Sequence, residues 1–292
     1  MRRTSVATVS PYPAPEAFAA LLAHAVPGLE LVDATSRTYA RLVATSSGPR
    51  LLEVAFGDDG VTAQVRHDEP SVPQAALHEV EAAVRSWLDL DTDLVAVAAL
   101  LGTDPLLGPM VTARPDLRIL GAFDGFESTV MTVLGQHVSL LAARTFGGRL
   151  VERWGRPDPS TGLFEFPSAA TLAVLDPQVV QAVVGVTGQR ARTVVALART
   201  CAAGLVVAPG VDLADVRREL LRLPGIGPWT VEYVAMRAMR DADAFPSGDL
   251  VLRKALALDT PRAVGDRAAK WAPWRAYGAI HLWHHAAYSR HL

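Results

Sequence analysis

The stretch LRLPGIGPWTVEYVAM, residues 221–236, joins two apolar-periodic segments through a Pro-Gly-Ile-Gly-Pro turn, and no other stretch constrains the fold as strongly. The segment before it, DLADVRRELLRL, repeats apolar residues at helical spacing and predicts a helix that ends near Leu223. Pro224 stops that helix because proline lacks an N–H and clashes with the turn before it. Pro228 suits the first position of the next helix, where a missing N–H costs nothing. The sequence therefore predicts a tight joint between two helices.

Gly225, Ile226 and Gly227 form the tip of this joint. Glycine lets the backbone turn without a Cβ in the way, and the amides at the start of a helix have no partner inside it. We expect these N–H groups to be unpaired at the positive end of the helix dipole, which suits a phosphate group. The tip is a candidate contact with a nucleic-acid backbone. The alternative is an ordinary helical hairpin with a glycine-rich turn.

Two regions of different pattern divide the chain of 292 residues. After a Pro-rich lead-in, EAFAALLAHAV predicts a helix, and four short runs predict strands: LELVDA, TYARLVAT, LLEVAF and VTAQVRH. From His78 onward, helical periods replace the strand pattern. We therefore expect an α+β fold with a small antiparallel α+β domain at residues 1–80. An all-α region at residues 81–292 follows, with the hairpin at about 212–238.

The overall charge does not indicate a polyanion-binding protein, because the formal net charge is −2. Residues 222–292 nevertheless carry ten Lys or Arg against six Asp or Glu, so any nucleic-acid surface is expected on the hairpin side. The single cysteine, Cys201, excludes a disulfide framework and a four-cysteine iron–sulfur cluster. It is interpreted as a small buried residue.

Membrane and export signals are missing from the pattern. No run approaches the roughly 18 to 20 apolar residues that span a bilayer, and the amino terminus has no continuous apolar core of the signal-peptide type. The sequence predicts a cytoplasmic protein with no membrane partner.

A family resemblance rests on two carboxy-terminal stretches, LPGIGPWTVEYVAMRAMRDADAFPSGDLVLRKAL and WAPWRAYGAIHLW. They are similar to the helix-hairpin-helix DNA glycosylases and, among these, resemble the 3-methyladenine DNA glycosylase II (AlkA) family, which excises alkylated bases. That family also begins with a small α+β domain and has an LGQ-x-VS segment, seen here as Leu134 to Ser139. The resemblance implies a two-lobed helical glycosylase core. It also implies hydrolysis of the N-glycosidic bond of alkylated purines in flipped nucleotides, which leaves an abasic site.

The resemblance implies that Asp249, in FPSGDLVLRK, is the catalytic residue. A carboxylate near C1′ of a flipped nucleotide stabilises an oxocarbenium-like sugar and helps to direct a water to it. In the alternative interpretation, Asp249 or Ser247 is merely the N-cap of the helix that follows. The two roles are compatible.

An aromatic set completes the implied base pocket. Trp283 matches the stacking tryptophan of the family, and an electron-rich ring holds a cationic base well. Trp229 and Tyr233 lie four residues apart on the helix after the hairpin, where the family lines its pocket. Core packing is the competing interpretation for both. We expect Trp271 and Trp274 to pack the last helix.

Trp229 also bears on the type of reaction. Related glycosylases that cleave the strand place a Schiff-base lysine two residues after the second hairpin glycine, and Trp229 stands there in this chain. The resemblance therefore implies a monofunctional enzyme. The chemistry needs no organic cofactor and no metal held by side chains, although in the family the hairpin carbonyls hold a monovalent cation.

Three histidines in HLWHH raise the question of a metal site: His281, His284 and His285. Helical spacing could place two imidazoles on one face, but no cysteine or pair of carboxylates nearby completes a ligand set. We interpret them as surface or packing residues.

Other candidate DNA contacts follow from the resemblance. Family members fill the gap left by a flipped base with an apolar wedge just after the Gln of LGQ, and Gln136 and His137 occupy this segment here. Arg253 and Lys254, just past Asp249, are candidate phosphate contacts, with a solvated helix face as the alternative. Arg275 is expected to reach a phosphate or a carboxylate.

The favoured interpretation is a monomeric glycosylase that acts on alkylated bases in double-stranded DNA. A non-catalytic helix-hairpin-helix module that binds DNA is the first alternative, although such a module has no use for an acidic side chain beside the phosphates. A glycosylase for deaminated or oxidised bases is the second, because pocket shape decides specificity.

Overall fold

The computed structural model describes residues 2–68 and 71–288. Its first part is a five-stranded antiparallel sheet in the spatial order β1-β5-β4-β3-β2. The strands are β1 (Arg2–Val9), β2 (Glu30–Asp33), β3 (Thr38–Val43), β4 (Arg50–Phe56) and β5 (Val61–His67). Two helices, α1 (Ala14–His24) and α2 (Gln74–Trp87), share a hydrophobic core with the alternating buried residues of this sheet.

Strand β1 is a departure from the sequence prediction, which treated the residues before α1 as a lead-in. This segment pairs with β5 at one edge of the sheet. None of its side chains is fully buried, so the segment lacks the apolar alternation by which a strand is recognised. The four strands that the sequence did predict are confirmed.

Helices make up most of the rest of the described chain. They are α3 (Leu94–Leu101), α4 (Leu107–Ala113), α5 (Gly125–Gly135), α6 (Leu140–Trp154), α7 (Ala169–Ala173), α8 (Pro177–Val184), α9 (Gly188–Ala202), α10 (Leu213–Leu221), α11 (Pro228–Arg237), α12 (Leu250–Leu256), α13 (Pro261–Ala268) and α14 (Arg275–Tyr288). The expectation of an all-α region is wrong in one detail: β6 (Arg156–Pro157) pairs with β7 (Phe164–Glu165). Strands of two residues are too short for their alternation to be read from sequence. The fold class is the expected α+β arrangement of an antiparallel domain and a mostly helical core.

The helical part has two hydrophobic cores, and α11 contributes to both. Val231 and Val234 pack in the core built from α5 to α11, whereas Ala235 and Met236 pack with α3, α4 and α12 to α14. Helix α11 therefore lies between two groups of helices and packs against both of them. Helix α2 crosses residue 80 and packs on the sheet, while the division into 1–80 and 81–292 stays a prediction.

A buried ion pair joins the sheet to α5. The guanidinium of Arg41 on β3 donates from Nη1 and Nη2 to Oε1 and Oε2 of Glu127, at 3.0 and 2.7 Å. Arg41 is only 5% exposed, lies over the ring of Phe123 and has a second carboxylate, Glu30, at 3.7 Å. Because α5 ends just before Gln136, this pair ties the first domain to the helix that leads into the candidate site.

Within the described residues, no helix has the length and apolar composition required to cross a lipid bilayer.

Candidate active site

The turn between α10 and α11 has the predicted geometry. Helix α10 ends at Leu221, two residues before the expected position, and α11 begins with Pro228 as expected. Gly225 has a φ of +86°, in the left-handed region, and a Cβ there would lie 2.4 Å from Oγ1 of Thr193 on α9. Gly227 is the N-cap of α11. The tip therefore needs glycine at residue 225 both for conformation and for space.

The amides of the tip are not all unpaired, which corrects the expectation for Ile226. Its N–H donates to the Leu223 carbonyl at 3.2 Å, because a turn this tight brings those two groups within hydrogen-bonding distance, and its side chain is buried in the helical core. Gly225 is exposed, and a Cβ at Gly227 would meet nothing within 4 Å. The two glycines thus form the accessible part of the tip.

Gly225→Ala is expected to destabilise the protein by about 1–3 kcal/mol. The alanine would adopt a left-handed conformation and press on Thr193, which is buried and cannot move aside freely. Urea unfolding measures the loss. Gly227→Ala is the matched control, since its φ is −107° and the space beside it is open. Equal losses in the two variants would contradict this account.

Asp249 lies at the amino terminus of α12 and accepts four hydrogen bonds. Its Oδ1 accepts from the backbone N–H groups of Val251 and Leu252, at 2.9 and 3.0 Å, so it is the N-cap of the helix. Two indoles complete the set: Nε1 of Trp283 donates to Oδ1 and Nε1 of Trp229 donates to Oδ2, both at 3.0 Å. The capping interpretation is therefore confirmed, and catalysis stays a prediction.

Aromatic rings line the space beside this carboxylate. Trp229 and Tyr233 stack with their centroids 5.2 Å apart at 14°, and Tyr233 meets Trp283 at 6.1 Å and 53°. All three are half-buried, so each keeps an accessible surface and none is simply a core residue. The guanidinium of Arg237 lies 5.5 Å from the Tyr233 ring centroid. The structure thus brings together the four residues predicted for catalysis and base stacking.

Asp249 differs in its ion-pair partners from Asp104, another aspartate that accepts backbone N–H groups at the start of a helix. Asp104 accepts backbone N–H groups and the indole of Trp271 in the same way, but it is also paired with Arg267 and Lys270. The hydrogen bonds from Arg267 and Trp271 outweigh burial and hold the pKa of Asp104 far below its usual range. Asp249 has no cationic partner within 4.0 Å in the described parts of the chain. Within the described residues, Asp249 is therefore hydrogen-bonded beside the aromatic rings but is not part of an ion pair.

A second charged cluster, which the sequence analysis missed, supports the loop before Asp249. Glu232 on α11 accepts from Nε of Arg217 and from the backbone N–H of Phe245, both at 3.0 Å. Arg217 also donates to Asp241 at 2.6 Å. The available signal was a lone glutamate within the apolar run WTVEYVAM of the hairpin helix. Arg275 reaches a carboxylate, as one of its two predicted partners: it is bidentate to Asp243 at 2.8 and 2.7 Å.

The two wedge candidates occupy different environments. His137 is exposed and has a φ of +53°. The Gln136 side chain turns to the hairpin, where Nε2 donates to the Gly225 carbonyl at 3.1 Å and to Oγ1 of Thr230 at 2.9 Å. Arg190 donates from Nη2 to the main-chain carbonyl of Gln136. The two hydrogen bonds of the Gln136 side chain could not be predicted from the sequence, because Gly225 and Thr230 lie 89 and 94 residues away from it.

The remaining predicted contacts are distributed around the site. Arg253 donates from Nη2 to the carbonyl of Asp259, just after α12, and Lys254 is exposed. At the hairpin, the Gly225 carbonyl accepts from Gln136 and the Pro224 carbonyl has a hydroxyl donor at 2.7 Å. A monovalent cation would have to use the second lone pairs of these oxygens, and its presence stays a prediction.

Trp271 and Trp274 pack against the last helix, on which His281 is buried, His284 is half-buried and His285 is exposed. Trp271 is 1% exposed, and Trp274 meets Tyr277 edge-on at 5.9 Å. In the described residues, no group of three or more His, Cys, Asp or Glu side chains is arranged to hold a metal ion. Cys201 is half-buried against the helical core, and burial raises its pKa to about 11.

Stability is expected to fall as the pH drops from 6.5 to 4. Burial lowers the pKa of His281 from 6.5 to about 4, so in this window the unfolded chain binds a proton that the folded chain does not. The full shift corresponds to about 3 kcal/mol. His281→Leu should reduce the dependence in urea unfolding at several pH values, whereas His285→Leu, exposed on the same helix, should not. The remaining dependence comes from His24 and His284, because burial lowers the pKa of each to about 4 as well. An unchanged slope in His281→Leu would refute the assignment.

The whole architecture defines the class of this protein. A 3-methyladenine DNA glycosylase from Archaeoglobus fulgidus superposes with a TM-score of 0.80 over 100% of both chains at 15% identity, which shows the helix-hairpin-helix glycosylase fold. The model of the AlkA N-terminal domain matches residues 5–124. The chain is thus similar to proteins named AlkA and DNA-3-methyladenine glycosylase 2 and has the fold of the helix-hairpin-helix glycosylases.

Two curated relatives are similar to this chain in sequence. The Mycobacterium tuberculosis protein named "Probable bifunctional transcriptional activator/DNA repair enzyme AlkA" is 39% identical over 96% of this chain, which spans 57% of that relative's length. The Escherichia coli DNA-3-methyladenine glycosylase 2 is 34% identical over 61% of this chain and 64% of its own length. The chain thus covers little more than half of the first of these relatives.

Proposed function

We propose that this chain is a monofunctional DNA glycosylase that hydrolyses the N-glycosidic bond of alkylated purines in double-stranded DNA. The observation that carries the proposal is the carboxylate of Asp249, uncompensated by a described cation and held by two indole N–H groups beside a stack of aromatic rings. The names of the Escherichia coli and Archaeoglobus fulgidus proteins support the substrate class.

Binding of the DNA backbone falls to the hairpin. The exposed tip at Gly225 and Gly227 lies at the amino-terminal end of α11, where backbone amides and the helix dipole favour a phosphate. Such a contact needs no side-chain charge, which is consistent with a net charge of −2. Lys254 and Arg253 are proposed as further phosphate contacts, and His137, exposed beside the hairpin, as an intercalating residue.

Recognition of the lesion falls to the aromatic set. A 3-methyladenine or 7-methylguanine type of base carries a positive charge, and the faces of Trp283, Trp229 and Tyr233 are electron-rich. A flipped base that stacks on these rings is therefore favoured when it is cationic. The nearby carboxylate of Asp249 adds to this preference, because it attracts the same charge.

Asp249 is the proposed catalytic residue. As the N-glycosidic bond breaks, its electron pair passes to the base nitrogen, and positive charge develops on the sugar at C1′. The fixed carboxylate stabilises that charge without reorganising, because the indoles of Trp229 and Trp283 already hold both oxygens in place. The oxygen of a water then bonds to C1′, and its surplus proton passes to the carboxylate or to solvent. The free base and an abasic site remain.

Strand cleavage is not part of the proposed reaction. Trp229 occupies the position at which related lyases carry a Schiff-base lysine, and its Nε1 is committed to Asp249. No amine nucleophile is available there. The monomeric state and the cytoplasmic location remain predictions from the sequence.

Single-turnover release of free base tests the function. Duplexes containing 3-methyladenine or 7-methylguanine, hypoxanthine or 8-oxoguanine are incubated with excess protein, and released base and strand breaks are measured separately. The proposal predicts release from the methylated duplex and intact strands. Release only from the hypoxanthine or 8-oxoguanine duplex would show that the substrate is a deaminated or an oxidised base and not an alkylated one. No release by a folded protein that binds DNA would leave a non-catalytic binding module.

A further inference from the structure

The side chain of Gln136 is directed toward the hairpin and not outward. Its Nε2 lies 3.1 Å from the Gly225 carbonyl and 2.9 Å from Oγ1 of Thr230. A carbonyl oxygen can only accept a hydrogen bond, so the carboxamide must present its NH₂ group to Gly225. Both N–H donors of Gln136 are thereby used inside the protein. Thr230 is buried, which places the second acceptor in the core beneath the tip.

Helix α9 holds the same two segments from behind. Arg190 donates to the main-chain carbonyl of Gln136, and Oγ1 of Thr193, one turn further along the helix, lies 2.7 Å from the Pro224 carbonyl. The turn that follows Gln136 places His137 in the left-handed region and exposes it. The exposed turn and the hairpin tip are therefore joined directly through Gln136 and indirectly through α9.

We infer that Gln136 is a positioning residue that fixes the exposed His137 turn relative to the hairpin, and that it does not itself fill the gap in the DNA. The inference rests on the proposed function. In the proposed function, the hairpin contacts the phosphates and the exposed His137 turn fills the gap that a flipped base leaves. Base flipping needs a fixed distance between these two contacts, and a misplacement of about 1 Å can cost on the order of a hundredfold in rate.

A double-mutant cycle separates a positioning role from a wedge. Gln136→Met keeps the length and the stacking surface of the side chain but has no N–H donor, and Thr230→Val keeps the shape of its partner but has no acceptor. We expect each change to lower single-turnover base release roughly ten- to hundredfold. The double variant should be no slower than Gln136→Met alone, because the hydrogen bond that Thr230→Val removes is one of the two already lost in Gln136→Met. A wedge predicts instead that Gln136→Met stays within about twofold of wild type and that the effects multiply, and this result would overturn the inference.

Two further readouts exclude a merely structural role. A fluorescent base analogue beside the lesion reports flipping, which should be impaired in Gln136→Met. The affinity for undamaged duplex, which depends on the hairpin, should stay within about twofold, as should the melting temperature within a few degrees. Gln178→Met, exposed on α8, is the matched control and should change none of these. If flipping is unimpaired, or if affinity and melting temperature fall together with rate, the inference is wrong.

Failure of the proposed function is distinguishable from failure of this inference. If the wild type releases no base, the glycosylase proposal fails, and the same cycle is read as flipping and as affinity for a duplex with an abasic site. Should Gln136→Met fail to fold, Gln136→Asn takes its place, because it keeps the donors on a side chain too short to reach both acceptors. A coupled loss supports the inference, and independent effects overturn it.

Discussion

Asp249→Asn is expected to lower single-turnover base release by on the order of 10²- to 10³-fold, while folding and DNA binding survive. The substitution removes the negative charge that would stabilise the developing cation and keeps the size of the side chain. Asparagine is as good an N-cap as aspartate, so its carbonyl oxygen can retain the bonds from Val251 and Leu252. Its NH₂ group would face the indole N–H of Trp229. Because both groups are donors, the hydrogen bond between Trp229 and residue 249 would be lost as well.

The control for this variant comes from a capping residue of the same geometry. Asp93 accepts the backbone N–H groups of Val95 and Ala96 at the start of α3, as Asp249 does for α12. Asp93→Asn should leave base release unchanged. Release rate, affinity for abasic duplex and melting temperature are measured for both variants. Undiminished release by Asp249→Asn would show that the residue is only a cap and would end its assignment as the catalytic group.

Arg41→Met is expected to destabilise the protein by about 3–5 kcal/mol at neutral pH. It would leave the carboxylates of Glu127 and Glu30 buried with no cation between them. The loss should shrink as the pH falls, because burial raises the pKa of Glu127 and protonation of that carboxyl group removes its charge in the folded state. Urea unfolding across a range of pH values measures both effects.

An exposed ion pair in the same domain supplies the comparison for Arg41. Arg37 meets Asp58 at 2.7 Å, but the Asp58 side chain is 97% exposed. Arg37→Met should cost no more than about 1 kcal/mol, because water competes for both charges. Similar losses in Arg37→Met and Arg41→Met would mean that burial does not set the strength of the pair. Arg41→Met also removes the ion pair that links the first domain to α5, the helix that ends beside Gln136.

Local backbone chemistry explains which elements could be predicted. The two prolines of the hairpin restrict their own φ angles and hydrogen bonding, and the two glycines permit backbone conformations closed to other residues, so the turn and the start of α11 were accessible from the sequence. Strands β3 to β5 were accessible because each has several buried residues in partial alternation. The run LELVDA indicated β2 although none of the residues of that edge strand is fully buried. Strand β1 was not accessible, since the sequence RRTSVATV does not alternate apolar and polar residues.

The site was predicted as a set of residues but not as a set of contacts. The resemblance named Asp249, Trp229, Tyr233 and Trp283, which the structure brings together. The resemblance did not predict the hydrogen bonds from the two indoles to Asp249, the Glu232 cluster or the contact of Gln136 with the hairpin. Those contacts join segments far apart in the chain, and their formation depends on how the helices pack.

Two tryptophans illustrate which features the local sequence determines and which depend on the tertiary structure. Trp271 and Trp283 both lie near the carboxy terminus, and the indole of each donates to an aspartate that also accepts backbone N–H groups at the start of a helix, at 2.6 and 3.0 Å. The sequence determined the hairpin, the capped helices and the presence of these rings, because such features follow from neighbouring residues. Only the tertiary structure decided that Trp271 is buried against Asp104, 167 residues away, and that Trp283 is only half-buried. Burial depends on which distant segments cover a side chain, and no local pattern encodes that.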